Sequence, residues 1–302
     1  MSHRTNYAIR EHGTVRFATA RHGGASLPDL LTRGVAEVYA FIDGEAAATA
    51  DALYNETWCE GLLLLDCDEK VVLFDGVSEL MFESAQRRLW YPAIADVWAG
   101  WHLLHTPDPV RHLGHALDLP DSWGAAKASS DALARIDPAP LLSAFHSMYI
   151  NDAQTEVQWL DATGGWQHGV FDCKPTTLLQ CGPDLLGVLP NATSVAPRDR
   201  TPPRGFLRLD RLRQELHVWT DLPVYRLAIE TEARWPGWTV KPISEQATRR
   251  YSHQPDRFSL TTEEVEHATR FIEARLDLSS TGPFRDALLM HASRARSRKR
   301  PA

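Results

Sequence analysis

The sequence lacks the stretches that most quickly place a protein. No apolar run approaches the roughly 20 residues a helix needs to span a bilayer. The longest clear one, Leu62–Leu65, is the length of a strand. No apolar segment follows the opening Met-Ser-His-Arg-Thr, so no signal peptide is expected. There is no basic excess: 32 lysines and arginines stand against 39 acids, for a formal charge of -7. A surface that tracks phosphates needs the opposite balance, which disfavours nucleic acid as a partner of the main body. Cysteine is scarce, and no pair among Cys59, Cys67, Cys173 and Cys181 has the spacing of a zinc knuckle or redox motif. Such scattered thiols read as reduced, in the cytoplasm of a bacterial-type cell. Glycine-rich phosphate loops, Gly-x-Ser-x-Gly, His-Glu-x-x-His and the kinase set are all missing. No motif names a cofactor.

What is present is core material, 43 % apolar, arranged in a pattern that repeats. Pro28-Asp29-Leu30-Leu31 matches Pro183-Asp184-Leu185-Leu186. Gly61-x-Leu63-x-Leu65-Asp66 matches Gly205-x-Leu207-x-Leu209-Asp210, and Trp98-x-Gly100-Trp101 matches Trp235-x-Gly237-Trp238. The offsets of 155, 144 and 137 residues shrink steadily, as they would if a second copy had shorter loops. An internal duplication is therefore expected.

The elements around these anchors agree. Tyr7–Arg10 and Val15–Ala18 flank His12-Gly13 as a hairpin, and Val157–Leu160 and Trp166–Phe171 flank Gly164-Gly165. Ser26 reads as the cap of a helix with Pro28 in its first turn. Leu62–Leu65 with Val71–Phe74, and Phe206–Leu209 with Leu216–Trp219, read as second hairpins. Helices over Gln86–Trp98, with Pro92 inside, and Val224–Arg234 follow. Strands Trp101–His105 and Trp238–Lys241 close the halves. Each half is then roughly ββαββαβ, an α+β unit of antiparallel hairpins with helices on one face. The expected boundaries are 1–120 for the first repeat, 121–150 for a helical connection, 151–258 for the second repeat and 259–302 for C-terminal helices and a basic tail. Thr261 and Glu264 form a capping-box pair, Gly282-Pro283 reads as a helix end, and a short last helix is expected from Phe284 to about His291. The tail Arg294–Arg300 reads as a solvated end or a weak anchor for an acidic partner.

Four groups of residues carry candidate chemistry. His102, His105, His112 and His115, with Asp108 among them, are the weak metal candidates. A three-residue step puts His112 and His115 on one helical face, but sends His102 and His105 to opposite faces of a strand. The loop from Arg21-His22-Gly23-Gly24 to Ser26 opens a helix, where free N–H groups favour an anion, with Arg16, Arg21 and His22 adding charge. Cys59 is a weak nucleophile candidate, with His12, His22 and His105 as candidate bases. Asp66 and Asp68 read as turn carboxylates, since Asp210 repeats Asp66. Of the ten tryptophans, Trp98, Trp101, Trp235 and Trp238 recur with the repeat and read as packing. Trp58, Trp90, Trp123, Trp159, Trp166 and Trp219 are where a ligand-stacking surface would be sought.

The sequence thus leads to a cytoplasmic binding or interaction protein, holding a protein partner or a small anionic ligand in a cleft between two α+β halves. Arg16, Arg21, His22 and Trp58 are its candidate binding residues. An immunity- or antitoxin-like role fits an acidic chain only by analogy. The rival expectation is a hydrolase or transferase using Cys59, His22 and His105.

Overall fold

A computed structural model describes residues 3–55, 57–76, 83–119, 138, 154–192, 194, 203–276 and 281–297. The expected helical connection, the loop at 195–202 and the last residues of the basic tail lie outside them. The described residues form an α+β protein of two compact units. The first takes the residues up to 119 together with Leu222–Tyr225 and Thr262–Ser297, and the second takes the rest.

The first unit is built on a six-stranded sheet of order β3-β2-β1-β4-β5-β6. These strands are β1 (Thr5–Glu11), β2 (Thr14–Ala20), β3 (Ala46–Ala48), β4 (Gly61–Asp66), β5 (Val71–Gly76) and β6 (His102–His105). His12 and Gly13 have φ of 52° and 70°, which makes the two-residue hairpin turn matching strand twist. The hairpins are antiparallel, but β1 pairs β4 in parallel, and β5 pairs β6 in parallel. The sheet is therefore mixed rather than purely antiparallel.

Helices cover both of its faces, not one. Tyr7 and Phe74 meet α2 (Val35–Gly44) and α3 (Ser84–Val97) through Phe41 and Trp90. The alternate residues Ala8, Leu62, Leu64 and Leu73 pack on Leu113 and Leu117, at and just beyond α4 (Pro109–Ala116). Pro92 sits inside α3, where it removes one helical N–H.

The second unit holds five strands in the order β11-β10-β9-β7-β8. They are β7 (Gln154–Leu160), β8 (Trp166–Asp172), β9 (Gly205–Asp210), β10 (Glu215–Thr220) and β11 (Thr239–Pro242). Set β7 on β1, β8 on β2 and β9, β10 and β11 on β4, β5 and β6, and both order and strand sense agree at every pairing. Thr5 opposite Gly61 then corresponds to Thr155 opposite Gly205.

Local details repeat as well. Asp66 Oδ1 accepts the backbone N–H groups of Asp68 and Glu69, and Asp210 Oδ1 those of Leu212 and Arg213. Lys70 and Gln214, each with φ of 53°, close the same turn. The carboxylates of Asp66 and Asp210 thus hold their turns, as expected. Asp68 accepts N–H bonds from His12 and Gly13, tying one turn to the other.

One anchor shifts. The buried Trp98 indole donates to Leu31 O at 2.7 Å, within α1 (Leu27–Leu31). Its counterpart Trp235 donates to Leu179 O at 2.8 Å, at the end of α5 (Pro175–Leu179). Leu27 packs 3.2 Å from where a Gly61 Cβ would sit, and the Pro175 ring overlaps the corresponding position at Gly205. Leu27–Leu31 therefore matches Pro175–Leu179 rather than the string around Pro183. That string forms a 3-10 turn and the short α6 (Leu185–Val188). A chance tetrapeptide match outweighed a weaker one that carries the packing.

Other boundaries differ for local reasons. Ser26 caps nothing through its side chain, donating instead to Gly23 O at 2.8 Å. The helix expected from Val224 starts only at α7 (Leu227–Arg234), because Leu222–Tyr225 pairs with His105 and Arg226 then turns with φ of 54°. After α8 (Glu245–Tyr251) and a 3-10 turn, α9 (Thr262–Arg275) and α10 (Gly282–Ser297) pack on α3, with His291 2.8 Å from Asp96. Gly282-Pro283 begins the last helix instead of ending one, since proline suits the first turn.

The two indole bonds make a prediction. Trp98 and Trp235 are 1 % and 0 % exposed, and phenylalanine at either position leaves a buried carbonyl unpaired beside a small void. Trp98→Phe and Trp235→Phe are each expected to cost about 2–3 kcal/mol, read as a lower urea midpoint. Unchanged midpoints in both would show that these bonds contribute nothing.

A second prediction comes from the β7–β8 turn. Asp161 accepts from Thr163, Gly165 and Gln167, first of all from the Thr163 hydroxyl, and its pKa is drawn down to about 2. A depressed carboxylate stabilises the folded state above its unfolded pKa of roughly 4, and that contribution fades as pH falls towards 2. In thermal melts, Asp161→Asn should melt below wild type from pH 5 to 7, with the gap closing below about pH 4. A gap that stays constant through that range contradicts the assignment.

Candidate functional site

In each sheet, a nearly buried polar side chain near the start of the first strand holds a segment that crosses the sheet. In the first unit it is Asn6, whose amide donates to Tyr54 O (2.7 Å) and accepts from Tyr54 N (2.8 Å). In the second it is Glu156, at the matching position and 2 % exposed. Its carboxylate accepts from the Ser252 hydroxyl at 2.7 Å and from His253 N at 2.9 Å. Two residues along β7, Gln158 donates to Tyr251 O.

These clamps place two tyrosines over two arginines. Arg4 lies 5.9 Å from the Tyr54 ring and 4.4 Å from the Trp58 ring, with Trp58 53 % exposed. Arg208 lies 4.2 Å from Tyr251 and 3.8 Å from Trp166, itself 40 % exposed. Such distances are those of cation–π stacking. No hydrogen bond or ion pair to either guanidinium is formed among the described residues. Beside Arg208, the exposed His168 and His253 rings stack at 3.8 Å, 19° from parallel, and His217 lies 5.6 Å from Tyr251. Desolvation pulls the Arg208 pKa below its ordinary value.

The surroundings of Arg208 are particular to the second unit. Across its sheet run His168, Gln158, Arg208, His217 and Lys241 in register. The matching row of the first sheet is Phe17, Ala8, Leu64, Leu73 and Leu104, part of an apolar cluster with Leu113. The topology therefore does not require a polar row.

The residues singled out in the sequence are placed as follows. Trp58 is in the first stack. Arg21 and His22 are exposed, but the adjoining Gly24 N–H is taken by His3 O, and the helix they precede spans only Leu27–Leu31. Arg16 pairs with Asp43 and donates to the Tyr39 hydroxyl. Cys59 donates to Gly61 O at 3.1 Å and accepts from Asn6 at 3.3 Å. Burial pushes its pKa up to about 11, so it is a protonated, positioned thiol at neutral pH.

His105 Nε2 is 3.2 Å from Asp75 Oδ1. His112 is fully buried, accepting at Nε2 from Arg111 (3.0 Å) and bonded at Nδ1 to Thr106. His115 is exposed, so of these two rings one lies within the buried stripe of α4 and the other outside it. Among the described residues, no group of three metal-ligating side chains converges. Trp90, Trp159 and Trp219 are core or near-core, which leaves Trp58 and Trp166 as exposed indoles among those described. Arg4, Arg208, Tyr54 and Tyr251 were not foreseen. The available signal was Arg208, which stands in the second Gly-x-Leu-x-Leu-Asp string where the first has Leu64.

Comparison with protein-family models, curated proteins and solved structures finds no match.

The thiols make a third prediction. Cys59 and Cys173, with pKa values of about 11 and 12, should react slowly with a disulfide reagent at pH 8, whereas the less buried Cys67 reacts first. Cys67→Ser should remove the fast phase. A fast phase lost only in Cys59→Ser would reveal an activated thiol.

Proposed function

We propose that this protein is a binding protein of the cytoplasm whose recognition surfaces are the two arginine–tryptophan–tyrosine stacks, one on each unit. The observation that carries this is an exposed indole under a guanidinium that no acceptor among the described residues claims, present at both Trp58–Arg4 and Trp166–Arg208. Tryptophan, tyrosine and arginine are the residues that dominate binding energy at interfaces. Each stack is pre-ordered by a buried clamp, Asn6 or Glu156, so little side-chain freedom is lost on association. The four cysteines are free, in keeping with a reducing setting. No described helix is long and apolar enough to cross a membrane.

A hydrolase or transferase reading draws on the His105–Asp75 pair. It needs a nucleophile beside His105, and the candidate Cys59 is engaged by Asn6 and Gly61.

Native mass spectrometry of gently purified protein tests the proposal. Wild type should carry a bound partner or ligand, and Trp58→Ala or Trp166→Ala should weaken it by about 2 kcal/mol, roughly thirtyfold. A bare wild-type chain, or a complex that survives both substitutions together, overturns it.

A further inference from the structure

We infer that Arg208 is an oxyanion subsite, taking a carboxylate or phosphate group through the in-plane edge of its guanidinium. This rests on the recognition reading above and names the chemistry of one of its two surfaces.

The geometry selects the approach. The guanidinium carbon lies over both rings, 3.8 Å from the Trp166 centroid and 4.2 Å from that of Tyr251. A guanidinium stacked on aromatic rings keeps its N–H edge for an acceptor. Those groups have no acceptor among the described residues and are not sealed from solvent. A planar fork of donors matches the paired oxygens of a carboxylate or a phosphate.

The electrostatics agree. His168, His217 and Lys241 share the row with Arg208, and no carboxylate does. The acids of this face are committed elsewhere. Asp210 holds the N–H groups of Leu212 and Arg213, Glu215 pairs with Lys241 and lies 3.5 Å from His217, and Glu156 clamps Ser252 and His253. A partly desolvated cation is thus left with no ion pair among the described residues, the Asp210 carboxylate acting on it only through space, on a face that the first unit fills with leucine. An incoming oxyanion supplies what the site lacks.

The test uses the full chain with nitrogen-labelled arginine. Its Arg208 Nε–H resonance is identified by its disappearance in Arg208→Lys. Inorganic phosphate and acetate are titrated separately at constant ionic strength. The Arg208 resonance should shift saturably with one or both, with a midpoint on the order of 1 mM, as befits a single fork. By calorimetry, Arg208→Lys should weaken binding at least tenfold with its melting temperature retained. Saturation by phosphate alone assigns a phosphate-bearing ligand, and by acetate alone a carboxylate-bearing one. No saturable shift with either overturns the subsite. If a native complex is then still lost in Trp166→Ala, the recognition surface stands without it; if the complex also survives loss of both indoles, both readings fail.

Discussion

A polar group taken out of water must find a partner, and this fold uses that requirement twice to fix its working surface. Asn6 and Glu156 sit at matching positions on the first strand of each sheet and are almost wholly buried. Left unpaired, such a side chain costs about 1–3 kcal/mol, and more if charged. Each finds its partners in the backbone of a segment that crosses the sheet, at Tyr54 or at Ser252 and His253. Satisfying the strand therefore fixes the crossing segment, and the segment fixes the ring that stacks on arginine. The two sheets solve the same problem with an amide and a carboxylate, so position is kept and chemistry differs.

The two sheets share strand order and sense. What they fill that framework with is different. The first sheet closes one face with leucines under α4. The second lays a polar row there and covers part of it with the Tyr251–His253 segment and an aromatic group of Phe206, Trp219 and Phe258. A closed apolar face contributes chiefly stability, while a polar face that is half covered leaves donors available to something else.

Much of the fold was legible because it rests on local signals. The hairpins showed as short apolar runs around His12-Gly13 and Asp66–Glu69, and the repeat showed in Gly-x-Leu-x-Leu-Asp and Trp-x-Gly-Trp. The Pro183 string misled because identity of letters was weighed without the packing. The true counterpart of Leu27 is Pro175, recognised only by what each presses against, Gly61 or Gly205. The late start of α7 was hidden because Leu222–Tyr225 is recruited as an edge by a strand more than a hundred residues earlier, at His105. The candidate site was legible only in Trp58 and in the exposed-indole argument. Arg4 and Arg208 draw their character from rings brought in by other segments, and no spacing rule connects them.

The first unit is discontinuous along the chain. Its sheet borrows an edge at Leu222–Tyr225, and its α3 is covered by Thr262–Ser297. On the ribosome, the strands β1–β6 are therefore made early but wait, with α3 uncovered, until nearly the whole chain has emerged. The second unit, all of whose described segments lie between 138 and 261, is complete before that. The part synthesised first is the part finished last, and the side of α3 that meets the C-terminal helices is what stays open longest during synthesis.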